Sequence, residues 1–225
     1  MAYQHLNRQG EALPLPVGKV VCVGRNYVAH AQELGNDIPA QPLLFIKPST
    51  ALVNLERGFQ LPHGQGECQH ECEISLLIGQ PLKNADMASA AQAIAGISLG
   101  LDLTLREIQT QLRQAGQPWE RAKAFDGACP MGRFIDPSCF SNCQNLTLAL
   151  YVNGQLRQQG SSEQMIFSIV DLLVDISHVF SLQPGDIVMT GTPAGVAALH
   201  NGDKLELVLS DEQQQWRWQS YVGTP

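Results

Sequence analysis

The stretch that decides the fold is His70-Glu71-Cys72-Glu73-Ile74-Ser75-Leu76-Leu77-Ile78-Gly79. Its apolar end and closing glycine read as a β-strand, in which alternate side chains share a face, so Glu71 and Glu73 stand roughly 6.5 Å apart along the chain on one side. On the other side Cys72, Ile74, Leu76 and Ile78 form a run that seeks a core. A helix would waste this pattern, because residues i and i+2 do not meet on a helix. Two carboxylates this close repel unless something positive lies between them. The strand therefore reads as half of a hard-cation site, and Asp102, the last residue of the strand predicted over Gly96-Ile97-Ser98-Leu99-Gly100-Leu101-Asp102, is the acid that could complete it.

The rest of the chain sets the context for that strand. At 225 residues it is long enough for one large domain with its own core. We expect residues 1–18 to form an N-terminal edge segment and 19–225 a single domain. The 20 glycines and 13 prolines call for many turns. A formal charge of -7 and a pI near 5.3, without a basic run, argue against nucleic acid or an anionic membrane as partner. The N-terminus carries no apolar signal core, and nowhere do about 18 apolar residues run uninterrupted, so the default expectation is a soluble cytoplasmic protein. Six scattered cysteines in a chain of this size read as reduced thiols.

Taken in order, Lys19-Val20-Val21-Cys22-Val23 reads as a short buried strand, and a helical turn or two ending at Gly35 would set His30 and Glu33 on one face of a mobile segment. Leu43 to Pro48 is a strand running into a loop. Asp86 caps a predicted helix over 87–95, and Thr104 with Glu107 has capping-box spacing for a helix through about Arg113. Arg121 to Gly127 reads as a loop. Asn153-Gly154 is the strongest hairpin signal in the chain. A helix follows from about Ser168 to Phe180, then a strand from Ile187 to Thr190 leads into Gly191-Thr192-Pro193-Ala194-Gly195, and two alternating strands, Lys204 to Leu209 and Gln215 to Tyr221, close the chain. The sum is a mixed, largely antiparallel β structure with peripheral helices.

Each candidate also has an ordinary reading. Glu-x-Glu can be a solvated face, Asp102 an N-cap, His30 and Glu33 an exposed ion pair, Lys123 and Arg25 surface charges, and the Gly191–Gly195 stretch a turn. Cys68-x3-Cys72 and Cys139-x3-Cys143 could in principle supply four thiolates to a structural zinc, making a binding or interaction protein, although Cys72 belongs to the apolar face of its strand.

The motifs taken together, in order, point further. Gly24-Arg25-Asn26-Tyr27 with His30 and Glu33, Phe45-x-Lys47-Pro48, His70-Glu71-x-Glu73, Asp102-x-Thr104-x-Arg106, Lys123-x-Phe125-Asp126 and Gly191-Thr192-Pro193-Ala194-Gly195 resemble the fumarylacetoacetate hydrolase family over residues 19–222. The resemblance is to its short members, the acylpyruvate hydrolase and oxaloacetate decarboxylase group. It implies an α+β fold built on a mixed β-roll, and a homodimer. It also implies that Glu71, Glu73 and Asp102 hold one Mg2+ or Mn2+, that His30 and Glu33 form an acid–base dyad on a segment ordering over substrate, and that Lys123, Arg25 and Thr192 line the substrate's carboxylate and keto oxygens. Gln109 and Lys47 are further pocket candidates.

Three carboxylates without sulfur or imidazole suit a hard ion. A 2-oxo acid bound there could lose an acyl group to water, lose carbon dioxide, or exchange a proton at C3, since all three reactions pass through the enolate of a pyruvate unit. Acylpyruvate hydrolysis, oxaloacetate decarboxylation and oxaloacetate tautomerisation are thus the activities implied. Isomerisation or decarboxylation of a longer unsaturated 2-oxo diacid is the alternative.

Overall fold

The computed structural model describes residues 2–33, 35 and 37–223. Its strands are β1 (Val20–Gly24), β2 (Leu43–Lys47), β3 (Leu52–Asn54), β4 (Cys68–His70), β5 (Cys72–Ile78), β6 (Ile94–Leu101), β7 (Thr104–Leu105), β8 (Cys129–Met131), β9 (Thr147–Val152), β10 (Gln155–Ser161), β11 (Ile187–Met189), β12 (Ala197–Ala198), β13 (Lys204–Ser210) and β14 (Gln215–Tyr221). The helices are α1 (Val28–Glu33), α2 (Met87–Gln92), α3 (Arg106–Gln114), α4 (Glu120–Lys123) and α5 (Ile169–Val179). The class is α+β, with helices peripheral to three sheets.

β5 lies at the centre of a seven-stranded sheet ordered β2-β1-β11-β5-β6-β8-β3, in which β1 runs parallel to β11 and β3 to β8 while the other pairs are antiparallel. A four-stranded antiparallel sheet, β10-β9-β13-β14, packs its apolar face against one side. Cys72, Ile74, Leu76 and Ile78 enter the core between them with Leu148, Leu150, Leu207 and Trp218. Each such aliphatic side chain removed from water contributes about 1.5–3 kcal/mol. The strand differs from the half-buried expectation in one respect: all seven of its residues are buried. Leu77 joins a second core on the other face with Val20, Cys22, Ile187 and Met189, and the N-terminal segment covers it with Tyr3, Leu13, Leu15 and Val17. His5 anchors that segment, its Nε2 lying 3.0 Å from the Gly185 carbonyl and 3.1 Å from that of Pro16.

Local chemistry explains most boundaries. Asn153 (φ 52°) and Gly154 (φ 76°) take the two left-handed positions of a tight turn joining β9 to β10. Asp86 accepts a hydrogen bond from Ser89 N at 2.8 Å to start α2, which ends at Gln92, short of residue 95, because Ile94 already pairs with Ile78. Ser168 caps α5, which buries Ile169, Leu172, Leu173 and Ile176.

Two local readings are corrected. Thr104 is no helix cap: it pairs with Gln69 in a third sheet, β12-β4-β7, and its hydroxyl donates to the Asp102 carbonyl at 3.0 Å, so α3 begins at Arg106 without a side-chain cap. The strand ladder uses Thr104 before a helix can. Likewise the segment read as loop from Arg121 contains the end of α4, a single turn that buries Lys123.

Candidate active site

The opening stretch is not one strand but two. β4 belongs to the small third sheet and β5 to the large one, and Glu71 is the residue at which the chain passes between them. β6 runs antiparallel to β5 with Cys72 opposite Leu101, so the register brings Asp102 level with Glu71, and Asp102 N donates to the Glu71 carbonyl at 2.8 Å. One carboxylate oxygen from each of Glu71, Glu73 and Asp102 falls within 4.8 Å of the others, and all three side chains are buried.

Cations surround two of the three. Lys123 Nζ lies 2.8 Å from Glu71 Oε2 and 2.6 Å from Asp102 Oδ2, and Arg106 donates to Glu71 Oε1. Burial alone would raise the Glu71 pKa, but Lys123 and then Arg106 outweigh it and hold the group well below the usual carboxylate range. Burial likewise opposes the charge on Lys123, and Asp102 and Glu71 more than restore it. Glu73 differs. Its Oε2 accepts the Gly191 N–H at 2.7 Å, and burial, then Asp102 and Glu71, push its pKa well up. A carboxyl group so placed gains most from an added positive ion. With three carboxylates converging and no sulfur or imidazole among them, the donor set fits a hard divalent cation.

The loop after β11 closes another side. Gly191 has φ 98°, and a side-chain carbon there would sit 2.7 Å from Asn26 Cβ, so the position requires glycine. Thr192 donates its hydroxyl to the Cys72 carbonyl at 2.8 Å and accepts from Gln158 Nε2 at 2.8 Å. Gln158 Nε2 also donates to Pro193 O at 2.8 Å, while its Oε1 lies 2.8 Å from His70 Nδ1 and accepts from Cys72 N at 3.0 Å. This one buried amide ties the Glu71 junction to the Thr192 loop.

His30, on α1, is buried, with Nδ1 3.2 Å from Glu33 Oε2; Glu33 Oε1 in turn accepts from Gly195 N at 3.0 Å. A ring proton on Nδ1 shared with the carboxylate leaves Nε2 with its lone pair, an assignment made from the hydrogen bond. His30, Glu71, Glu73, Lys123, Thr192 and Arg25 line one cavity of about 250 Å3, and Gln109, Arg113 and Trp119 line it too.

The sequence candidates thus come together, although two of them, Asp102 and Lys47, do not line the cavity; Asp102 joins it through the carboxylate group it forms with Glu71 and Glu73. Lys47 is wholly buried and does not line the cavity; its Nζ is 2.7 Å from Asp102 Oδ1 and 3.1 Å from the Ala128 carbonyl, beneath the carboxylates. The four cysteines proposed for zinc are free thiols, with Cys68 and Cys72 buried and Cys139 exposed, and among the described residues the ligating group that the fold assembles is the carboxylate set. Sequence reasoning missed Arg106 as a cavity residue although its motif was quoted, and missed Gln158, whose aim depends on a register shift in β10 between Leu156 and Gln158. Among the described residues no helix is long and apolar enough to cross a membrane.

A buried carboxylate trio beside a histidine–carboxylate pair, carried on a mixed β-roll, defines a class of enzyme-like site. The model of the fumarylacetoacetate (FAA) hydrolase C-terminal family matches residues 19–215, and the chain belongs to that family. It is 50% identical over 204 residues to the oxaloacetate tautomerase YcgM of Escherichia coli, covering 90% of this chain and 93% of that one. It is 39% identical over 194 residues to the mitochondrial oxaloacetate tautomerase fahd-1 of Caenorhabditis elegans, covering 86% and 91%. A crystal structure of fumarylpyruvate hydrolase from Pseudomonas aeruginosa, in complex with Mn2+ and pyruvate, superposes with a TM-score of 0.89 at 32% identity, over 100% of this chain and 97% of that one.

Proposed function

We propose that the chain is a divalent-cation-dependent enzyme of 2-oxo acids, with keto–enol tautomerisation of oxaloacetate as its main reaction. The observation that carries this reading is the carboxylate group formed by Glu71, Glu73 and Asp102, two of whose members line one cavity with His30 and Lys123. The tautomerase names of the relatives and the pyruvate in the hydrolase structure support it. Mg2+ or Mn2+ would be held by the three carboxylates, where it would draw charge from the substrate's keto oxygen.

The protein's own residues account for the proton. His30 Nε2 takes a proton from C3 of the keto form; the C–H electron pair becomes the C2–C3 double bond, and the carbonyl pair moves onto oxygen. Lys123, kept cationic by its carboxylate neighbours, faces the developing negative charge. A proton delivered to oxygen gives the enol, and one returned to C3 restores the ketone. Glu33 holds the imidazole in the tautomer that presents Nε2. Acylpyruvate hydrolysis and oxaloacetate decarboxylation would release the same anion and are proposed as secondary activities. A homodimer completes the reading on the family resemblance, and sedimentation velocity tests it.

The test compares rates on keto and enol oxaloacetate, acetylpyruvate and an unsaturated 2-oxo diacid, with Mg2+ and after chelation. Tautomerisation should be fastest, should fall on chelation, and should fall by about 10²–10⁴ in His30→Ala. Equal rates with and without the cation, or in that variant, would overturn the reading.

A further inference from the structure

Helix α3 turns a polar face to the cavity. Arg106, Gln109, Thr110 and Arg113 all line it, and their spacing of i, i+3, i+4 and i+7 is one stripe of a helix. Leu112, the buried residue of α3, anchors the helix on another side. A polar stripe on a short helix ordinarily faces water. This one faces a walled cavity whose inner end is acidic.

The stripe is graded. Arg106 is committed to the inner end through Glu71, and it also donates to Gln69 Oε1 at 2.8 Å and Gln109 Oε1 at 2.6 Å. Arg113 is exposed and lies seven residues further on, about 10 Å along the helix axis. Arg25, at the end of β1, lines the same cavity with φ 58°, a left-handed backbone that a residue with a side chain rarely adopts. Such a conformation persists where the surroundings enforce it, and it is found at ligand-binding positions. Arg25 and Arg113 are close enough that, after burial, the Arg113 charge is the chief cause lowering the Arg25 pKa, with Asp37 acting the other way. Both guanidinium groups line the cavity, and a guanidinium is the side chain best shaped to receive a carboxylate of a ligand bound there.

Charge along the cavity also favours an anionic ligand. Glu71, Glu73 and Asp102 carry three negative charges when ionised, and Lys47, Lys123 and Arg106 carry three positive ones. A divalent cation there leaves an excess of two, and Arg25 and Arg113 add positive charge toward the outer end, so the cavity favours a ligand that carries more than one negative charge.

We infer that Arg113, together with Arg25, binds the distal carboxylate of a 2-oxo diacid and makes Arg113 a specificity-determining residue that favours diacids over 2-oxo acids with a neutral end. The inference rests on the reading above for the inner end of the cavity, and it concerns the outer end.

The experiment is calorimetric titration of the Mg2+-loaded full-length protein with pyruvate, 2-oxobutanoate, oxaloacetate, 2-oxoglutarate and 2-oxoadipate, repeated on Arg113→Gln and Arg113→Lys. In the wild type at least one diacid should bind tenfold or more tightly than the two monoacids. Arg113→Gln should abolish most of that advantage and change pyruvate binding less than twofold, and Arg113→Lys should recover part of it. Melting temperatures within a few degrees of wild type would show that the variants fold. A wild type without diacid preference, or an Arg113→Gln variant that retains it or weakens mono- and diacids alike, would overturn the inference. Diacid binding that is lost in Arg113→Gln but indifferent to Mg2+ would instead uphold the arginine site and refute the cation reading of the inner end.

Discussion

Lys47 Nζ lies 2.7 Å from Asp102 Oδ1, and neither side chain is reached by solvent to any meaningful extent. The contact is a charge pairing rather than an aligned hydrogen bond, and the ammonium group spends its protons on the carbonyls of Lys123 and Ala128 instead. Lys47 therefore joins β2 to the segments that carry Asp102 and Lys123, and the candidate site rests on it. Breaking a buried pair strands its partner's charge, so Lys47→Met should destabilise the fold by about 3–5 kcal/mol. Urea unfolding measures this, and saturating Mg2+ should restore part of the loss by occupying the carboxylates.

Glu73→Gln makes the opposite case. Because burial and two acidic neighbours already disfavour its charge, a neutral amide oxygen that still accepts from Gly191 N should leave cation-free stability within about 1 kcal/mol of wild type. Cation binding should be lost. Thermal melts with and without Mg2+ would show a stabilisation in the wild type that is absent from the variant.

Gln158 is fully used, with four polar partners on two different segments. Gln158→Leu leaves the Cys72 N–H and the His70 ring without partners, each such buried group costing about 1–3 kcal/mol. Loosening the Glu71 junction and Thr192 together should lower kcat/KM by about 10–100-fold, as loss of an outer support to a ligating residue does. Steady-state kinetics beside circular dichroism would separate the two effects.

The N-terminal anchor predicts a pH dependence. Burial is the chief cause lowering the His5 pKa from 6.5, offset in part by the Gly185 and Pro16 carbonyls. The unfolded chain then binds more protons at this site than the folded one, so stability rises with pH. The contribution is complete above about 6.5, the ordinary value for histidine, and is lost as pH falls from there toward the lower folded value. His5→Gln should flatten the decline in urea midpoint measured between about pH 7 and pH 5.

Much of this protein was legible in its sequence because the signals are local. Alternation set the faces of β5, Asn153-Gly154 specified a turn that needs two left-handed residues, Ser168 and Asp86 carried their own caps, and the two acids flanking Cys72 with Asp102 marked the cation-like site. The ordered motifs identified the family. What only the tertiary structure decided depends on partners far along the chain. Thr104 had the spacing of a cap, but a strand across from it claimed its backbone first. Lys47 looked like a pocket residue until the packing of β2 buried it under Asp102. Gln158 gave no signal, since a bulge in β10 and the closeness of the Thr192 loop aim it. Glu71 and Glu73 have the spacing of neighbours on one strand, but the chain changes sheets at Glu71, and the β5–β6 register brings Asp102 level with that change.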